Sequence, residues 1–388
     1  MKKRLGISIY PEIVGKEDTI KYIDFAKDAG FERVFANLLE VEDDKPGQEK
    51  LAMFKEVWTY ARDKGFEVIV DVNPNFYHAF KLKNTELKFF KELGATGIRL
   101  DEDFKGVVES ELSNNKLGMK IELNASGGSE TITATLEKGG NPENLIACHN
   151  FYPMRYTGLK YERFIELSSF FKAKGIRVAA FVTLPEARKG VGPWDVNEGM
   201  PTIEEHRDLS VADQVASLLT LNVIDDIIIS QQGAIKEDFD AIKMVLNEYN
   251  KIMSGGIVEI NVKLESTVTD IEKSIINFER ELDFEGAIVK THSNRPDLNG
   301  FFIRSTITRI TYKDEDIKPN NSAKKLQLGD VVVLNENLGR YKGELHVMLQ
   351  EVDDSKQNAR NLVGKVIKED IFKLGFIAGG SKFKVCLN

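Results

Sequence analysis

The chain has 388 residues, of which 42% are hydrophobic and 29% charged, and its formal net charge is −8. This composition is typical of a globular protein that buries a core, and the absence of a basic stripe argues against nucleic acid as a partner. Two cysteines are too few for a disulfide framework, and no apolar run is long enough to span a membrane. Because the first apolar segment already begins at Leu5, we expect no signal peptide and a cytoplasmic location.

Eight short apolar segments recur between Leu5 and Ser230, and several of them end in a polar residue. In chain order they are LGISIY, RVFANL, EVIVDVNP, GIRLDED, KIELNAS, LIACHNFYP, RVAAFVT and DDIIIS. Helical patterns fill most of the intervals, and glycines such as Gly30 and Gly65 follow them as stop signals. A strand–helix unit repeated eight times predicts a (β/α)8 TIM barrel in the α/β class.

The pattern changes after a last barrel helix that the sequence predicts from about Ile235 to Met253. Ser254-Gly255-Gly256 is typical of a linker. The segments that follow alternate apolar and polar residues: IVEINVKLES, GAIVKTHS, GFFIRSTITRITY, GDVVVLN and ELHVMLQEVD. We therefore predict two domains, a barrel over 1–253 and a small antiparallel β barrel or sandwich over 257–388.

Barrel enzymes place their chemistry at the carboxyl ends of the strands, where this chain has several polar side chains. Strand alternation predicts that polar groups of three consecutive strands point into the barrel: Asp71, Arg99, Asp101, Glu122 and Asn124. Burying charged groups costs several kcal/mol unless they are paired or hydrated. We therefore interpret these residues as the lining of a polar pocket. The alternative is an ion pair of Arg99 with Asp101 or Glu122 that only organises the barrel.

Two loops add further candidates. His149, Asn150 and Tyr152 follow strand six, and a long loop with glycines and prolines, LPEARKGVGPWDVNEGMPTIEEHRDL, follows strand seven. A loop of that length is usually functional or disordered, and Trp194 argues against disorder. Trp194 would either stack on a sugar or pack in the core, and Arg207 would either begin a helix or clamp an anion. Glu40, in an acidic run after strand two, is a weaker candidate.

Several long motifs resemble one known family. They are LGISIYPE, GIRLD, KIELNAS, CHNFYP, GPWDVNEGMPTIEEHR and, in the second domain, GDVVVLNENLGRYKGELHVML. Together they resemble the bacterial 6-phospho-N-acetylmuramidases over nearly the whole chain. The resemblance implies a TIM barrel followed by a cyclophilin-like β-barrel domain. It also implies hydrolysis of 6-phospho-N-acetylmuramyl-N-acetylglucosamine inside the cell, during peptidoglycan recycling.

Glycoside hydrolysis usually needs two carboxyl groups, one protonated and one ionised. Our hypothesis assigns these roles to Asp101 and Glu122, with Asp71 as the substitute and Arg99 holding one carboxylate ionised. The sequence leaves open whether the reaction retains or inverts configuration. Hydroxyl or N-acetyl contacts are expected from Asn124, His149, Asn150 and Tyr152, and contacts to the substrate's anions from Arg155, Arg207, Arg340 and Tyr341.

Two other functions remain open at this point. A metal-dependent sugar isomerase or epimerase would use Asp101, Glu122 and His149 as ligands. A non-catalytic phosphosugar-binding protein would bind its ligand without turnover. For the glycosidase we expect no metal and no cofactor, a small phosphosugar as the partner, and self-association into a homo-oligomer as an open question.

Overall fold

The computed structural model describes residues 1–39, 41–185, 190–284, 286–297, 299–320 and 325–387. Glu40 and residues 186–189 of the long loop therefore lie outside the described residues. The chain divides into two compact units, Met1–Lys243 and Met244–Asn388. The division falls within the helix Lys236–Met253, which the sequence assigns to the barrel.

The first unit is a closed barrel of eight parallel strands that pair in sequence order, as predicted. The strands β1 to β8 are Arg4–Ser8, Arg33–Asn37, Glu67–Val72, Gly97–Leu100, Lys120–Asn124, Leu145–Cys148, Arg177–Val182 and Asp226–Ile229. Because every strand runs the same way, all carboxyl ends lie at one rim of the barrel. Polar residues at or just after the strand ends are thereby brought to the same opening.

Helices alternate with these strands, as the helical patterns in the intervals predict. The α-helices are Pro11–Val14, Lys16–Asp28, Lys45–Asp63, Pro74–Ala79, Lys88–Glu92, Val107–Ser113, Glu130–Glu137, Tyr161–Ala173, Val211–Leu221 and Lys236–Met253, and short 3-10 turns span Pro142–Asn144 and Glu204–His206. Gly30 follows one helix with a φ of +87°, a left-handed conformation that suits glycine after a helix. No helix in the described part of the chain is both long enough and apolar enough to cross a membrane.

The interior of the barrel contains a buried network of charges. Arg33 in β2 donates hydrogen bonds to Asp226 in β8, at 2.9 Å, and to Glu122 in β5, and all three side chains are fully buried. Neither β5 nor β8 is a neighbour of β2, so these ion pairs cross the interior. Arg4 also donates to Asp226 at 2.7 Å and to Glu67 at 2.8 Å.

An apolar layer lies between this network of charges and the carboxyl ends of the strands. It is formed by Phe35, Cys148, Ala179, Phe181 and Ile228, and the half-buried Phe151 packs against it. The rings of Phe35 and Phe181 meet edge to face, with centroids 5.1 Å apart. Cys148 is the buried thiol that its apolar strand predicts.

The second unit is built on a mostly antiparallel sheet, as predicted. Its strands β9 to β19 are Val258–Leu264, Leu282–Phe284, Ala287–Val289, His292–Ser293, Phe302–Ser305, Lys325–Leu326, Asp330–Leu334, Leu345–Met348, Val352–Asp353, Arg360–Val366 and Lys382–Leu387. Seven of them form one sheet in the order β12-β19-β9-β18-β15-β16-β13, in which β9 and β19 pair in parallel. The helical segments are Asp270–Asn277, Ile307–Thr311, Glu336–Tyr341 and Lys368–Phe376. The cyclophilin-like character of this unit stays a prediction.

One strand prediction in this unit is wrong at its end. The segment GFFIRSTITRITY forms a strand only over Phe302–Ser305 and then a short helix over Ile307–Thr311. A helical turn brings Thr308 and Tyr312, which are four residues apart, onto one buried face. The Tyr312 hydroxyl donates to the carbonyl of Ser274 at 2.8 Å, which anchors that face.

We predict that Glu122→Gln destabilises the barrel, because the change leaves Arg33 with one carboxylate partner instead of two. The free energy of unfolding should fall by about 3 kcal/mol in urea denaturation. Asp101→Asn is the matched control: it also removes one of two carboxylate partners of a buried arginine, Arg99, but the Asp101 side chain is 39% exposed, so water can take its place and the loss of stability should be much smaller. Equal stability of the two variants would contradict a structural role for Glu122.

Candidate active site

A cavity opens at the carboxyl ends of the strands. Its polar wall consists of Asp71, Arg99, Asp101, His149 and Asn150, and its apolar wall of Phe35, Leu39, Phe151, Phe181 and Trp194. Asp71 lies near the end of β3, Asp101 directly after β4, and Asn150 two residues after β6. This is the place at which TIM barrels carry their active sites. A polar half and an aromatic half suit a sugar, which has hydroxyl groups on its edge and apolar C–H faces.

Arg99 organises the polar wall. Its Nη1 donates to Asp71 at 2.7 Å and to Asp101 at 3.3 Å, and its Nη2 donates to the side-chain oxygen of Asn150. Because both carboxylate oxygens contact the same nitrogen, they can lie no further apart than about 6 Å. Retaining glycosidases hold their two carboxyl groups roughly 5–5.5 Å apart and inverting ones roughly 6.5–9.5 Å. An upper limit of about 6 Å between one oxygen of Asp71 and one of Asp101 is compatible with the retaining spacing.

The two carboxyl groups differ in environment although they share one arginine. The side chain of Asp71 is 7% exposed and that of Asp101 is 39% exposed. Burial raises the pKa of Asp71 to about 7, although the Arg99 guanidinium acts in the opposite direction. A carboxyl group that keeps its proton near neutrality suits a general acid, and a solvated carboxylate beside a cation suits a nucleophile or base.

Glu122, which the sequence pairs with Asp101, lies in the buried charge network and not in the cavity wall. It accepts a hydrogen bond from Arg33, and its side chain has no exposed surface. Burial raises the pKa of Glu122, and the two arginines Arg33 and Arg99 act against that rise. The structure thus brings Asp71 to the side of Asp101, whereas Glu122 takes part in holding the barrel together.

His149 is in the cavity wall, but both of its ring nitrogens already have partners. Nε2 lies 2.9 Å from the hydroxyl of Ser168, and Nδ1 lies 3.3 Å from that of Ser126. Burial lowers the pKa of His149 to about 3, so the ring is neutral at physiological pH. The Ser126 hydroxyl in turn accepts from the backbone N–H of Asn150 at 2.9 Å. His149 is therefore placed to orient the loop that carries Asn150.

Asn124 lies in the wall of a second cavity, which Asp101 also lines. Its Nδ2 is 3.5 Å from the Asp101 carbonyl, and its Oδ1 accepts from the N–H of Ser126 at 2.9 Å. Asn73, which alternation also points inward, instead caps the helix Pro74–Ala79 by accepting from Phe76 at 3.0 Å.

Arg207 is placed to fix the loops around the opening. Its Nη1 donates to the carbonyls of Tyr152 at 3.0 Å and Gly199 at 2.8 Å, and its Nε and Nη2 donate to Glu204 at 2.7 Å. With 1% of the side chain exposed, the guanidinium has little surface to offer an anion. Arg155 forms an ion pair with Asp208 at 2.7 Å. The wall of the cavity around Asp71 and Asp101, the central cavity, does not include Tyr152, Arg155 or Arg207.

Trp194 separates the central cavity from a neighbouring one. The indole side chain is 41% exposed and lies 5.9 Å from the Phe151 ring, centroid to centroid. The neighbouring cavity is lined by Glu12, Ile13, Asn37, Val41, Lys50, Phe54, Pro193 and Trp194. Burial raises the pKa of Glu12 to about 7.

Glu12 and Lys50, in the wall of the neighbouring cavity, are candidate site residues that the sequence did not indicate. The available signal for Glu12 was its position directly after strand one, in Tyr10-Pro11-Glu12. Lys50 lies within the helix Lys45–Asp63, where a lysine is normally a solvated surface residue, so no local pattern distinguished it.

Arg340 and Tyr341 lie in the second unit, on the turn Glu336–Tyr341. Among the described residues, no group of three or more His, Cys, Asp or Glu side chains is arranged to hold a metal ion.

Family models for the two parts of the 6-phospho-N-acetylmuramidases match residues 5–244 (N-terminal) and 258–386 (C-terminal). The chain belongs to the 6-phospho-N-acetylmuramidase family. It is accordingly an enzyme of the glycosidase class.

Among solved structures it is similar to an uncharacterised protein from B. cereus, with 37% identity, full coverage of both chains and a TM-score of 0.74. A conserved protein of unknown function from Enterococcus faecalis, 23% identical over 99% of this chain and 96% of its own, shares the fold with a TM-score of 0.64. A comparison with curated proteins found no match.

Proposed function

We propose that this enzyme hydrolyses 6-phospho-N-acetylmuramyl-N-acetylglucosamine in the cytoplasm, as a step of peptidoglycan recycling, and that Asp71 and Asp101 are its catalytic pair. The observation that carries the proposal is the shared contact of both carboxyl groups with Arg99 at the opening of the barrel. The activity after which the family is named, 6-phospho-N-acetylmuramidase, supports the substrate class. This pair replaces the pair of Asp101 and Glu122 that the sequence favours.

In the first step, Asp101 attacks the anomeric carbon of the muramyl sugar while Asp71 gives its proton to the glycosidic oxygen. The bond between that carbon and oxygen breaks, N-acetylglucosamine leaves, and the muramyl sugar is esterified to Asp101. In the second step, Asp71 takes a proton from water, whose oxygen attacks the same carbon and releases Asp101. Two displacements at one carbon restore the original configuration.

The walls of the two cavities suit a disaccharide. Trp194 lies between them and offers an exposed aromatic face on which a sugar ring stacks. The side-chain oxygen of Asn150 is occupied by Arg99, which leaves its amide nitrogen to donate to a hydroxyl or the N-acetyl carbonyl. On the far side of Trp194, Lys50 lies in the same cavity wall as Glu12. The positive charge of Lys50 suits an anionic substituent of the sugar.

The substrate assignment predicts a selective turnover. Purified enzyme is incubated with the phosphorylated disaccharide, its unphosphorylated counterpart and a 6-phospho-glucoside, each with and without EDTA, and products are measured by mass spectrometry. We expect cleavage of the first compound alone, at the same rate in EDTA. Binding without cleavage would instead support a phosphosugar-binding protein, and loss of activity in EDTA would support a metal-dependent enzyme.

The assignment of Asp71 as general acid predicts a pH dependence. Because the acid must be protonated and its pKa is raised to about 7, kcat/KM should decrease above that pH, by roughly tenfold per unit. This decrease of kcat/KM at alkaline pH should disappear in Asp71→Asn, together with nearly all turnover of the natural substrate. If kcat/KM of that variant still decreased above pH 7 as in the wild type, the decrease would belong to another titrating group. The Glu12→Gln variant is the control, because burial raises the pKa of Glu12 to about 7 as well.

A further inference from the structure

Three arginines surround one tyrosine in the second unit. Arg304 lies in β13, Arg309 in the helix that follows it, and Arg340 precedes Tyr341 directly on the turn Glu336–Tyr341. The guanidinium carbons lie 5.5, 5.7 and 5.5 Å from the centre of the Tyr341 ring, in that order. Cation–π contacts of this length are individually modest, and three on one ring bring three positive charges close together.

A single buried carboxylate organises this group. Glu344, with no exposed side-chain surface, accepts from Arg304 at 2.7 and 3.1 Å and from Arg309 at 2.7 Å. His346 Nε2 lies 3.2 Å from the same carboxylate, and burial lowers the pKa of His346 to about 4, so that the ring adds no charge at neutral pH. Glu344 therefore neutralises one of three positive charges and fixes two of the guanidinium groups in orientation.

The remaining neighbours do not remove the excess of positive charge. Arg295 and Asp297 pair with each other at 2.6 Å, so together they contribute no net charge. Arg340 is exposed, and in the described part of the chain its guanidinium has no hydrogen bond or ion pair. The side chains of Arg304 and Arg309 are 21% and 22% exposed, so each still reaches solvent.

We propose that Arg304, Arg309 and Arg340 form a binding site for a phosphate monoester beside Tyr341. A dianionic phosphate matches the two uncompensated charges, and guanidinium groups held in a fixed orientation bind such oxygens in pairs. The exposed Tyr341 ring offers an apolar face to the group that carries the phosphate. With the phosphate of the substrate as its ligand, the site would rest on the proposed function and add a binding determinant to it; with a separate phosphorylated metabolite as its ligand, the site goes beyond that function.

Calorimetric titration of the full chain with inorganic phosphate and with glucose 6-phosphate tests the site. We expect both to bind, with unphosphorylated glucose giving no signal. Arg340→Ala should weaken both affinities and Arg340→Glu should weaken them by at least about tenfold. Because Arg340 is exposed, neither change should alter the unfolding temperature.

Arg280→Ala is the matched control. Arg280 also lies over a tyrosine in this unit, 4.9 Å from the Tyr312 ring, but Glu315 pairs with it at 2.6 Å and no other arginine is described over that ring. Its loss should leave phosphate binding unchanged. Absence of phosphate binding in the wild type, or equal affinities in the wild type and Arg340→Glu, would overturn the proposal.

Turnover by the Arg340 variants separates the two sources of the phosphate. A raised KM for the phosphorylated disaccharide, with kcat unchanged, identifies the substrate as the ligand. An unchanged KM together with weakened phosphate binding identifies a separate phosphorylated metabolite, and both results uphold the site. If the wild type binds phosphate but cleaves no disaccharide, the proposed catalytic function fails while this site stands.

Discussion

The barrel depends on how two buried arginines are neutralised. A guanidinium group cannot lose its proton inside a protein, so Arg33 and Arg99 must each find carboxylates within the interior. Arg33 is paired with Asp226 and Glu122, from strands that are not its neighbours. Arg99 is paired with Asp71 and Asp101 and donates to Asn150 at the opening.

These two arrangements have opposite consequences for access to substrate. The network of Arg33 has no exposed side-chain surface, so its carboxylates serve the fold. The network of Arg99 ends at Asp101, which is 39% exposed, so it continues into the cavity. Desolvation then separates the roles of the two aspartates, since the deeper Asp71 keeps its proton near neutrality. The same electrostatic requirement thus accounts for the stability of the barrel and for the proposed chemistry.

Much of this arrangement could be predicted from the sequence, because it depends on local patterns. The period of two in GIRLDED and KIELNAS predicts which side chains point inward, and glycine stops mark the helix ends. The choice of catalytic pair depends on non-local geometry. Asp71, Arg99 and Glu122 are aligned partners across β3, β4 and β5, yet Arg99 contacts Asp71, whereas Glu122 contacts Arg33.

Most partners of Arg33 and Arg207 could not be predicted from local sequence patterns either. Arg33 meets carboxylates from strands about 90 and 190 residues later in the chain. Arg207 pairs with Glu204, three residues earlier, but its Nη1 is occupied by backbone carbonyls, which no side-chain pattern reports. An arginine in a sequence therefore shows that a charge must be neutralised, but only the fold shows whether a substrate or the protein itself supplies the partner.

The configuration of the first-formed product tests the central claim most directly. The enzyme is mixed with the phosphorylated disaccharide, and the anomeric proton of the released muramyl sugar is followed by NMR before mutarotation. A pair of carboxyl groups that share Arg99, with oxygens no more than about 6 Å apart, predicts retention of configuration. Inversion would require more widely separated carboxyl groups and would contradict the pairing of Asp71 with Asp101.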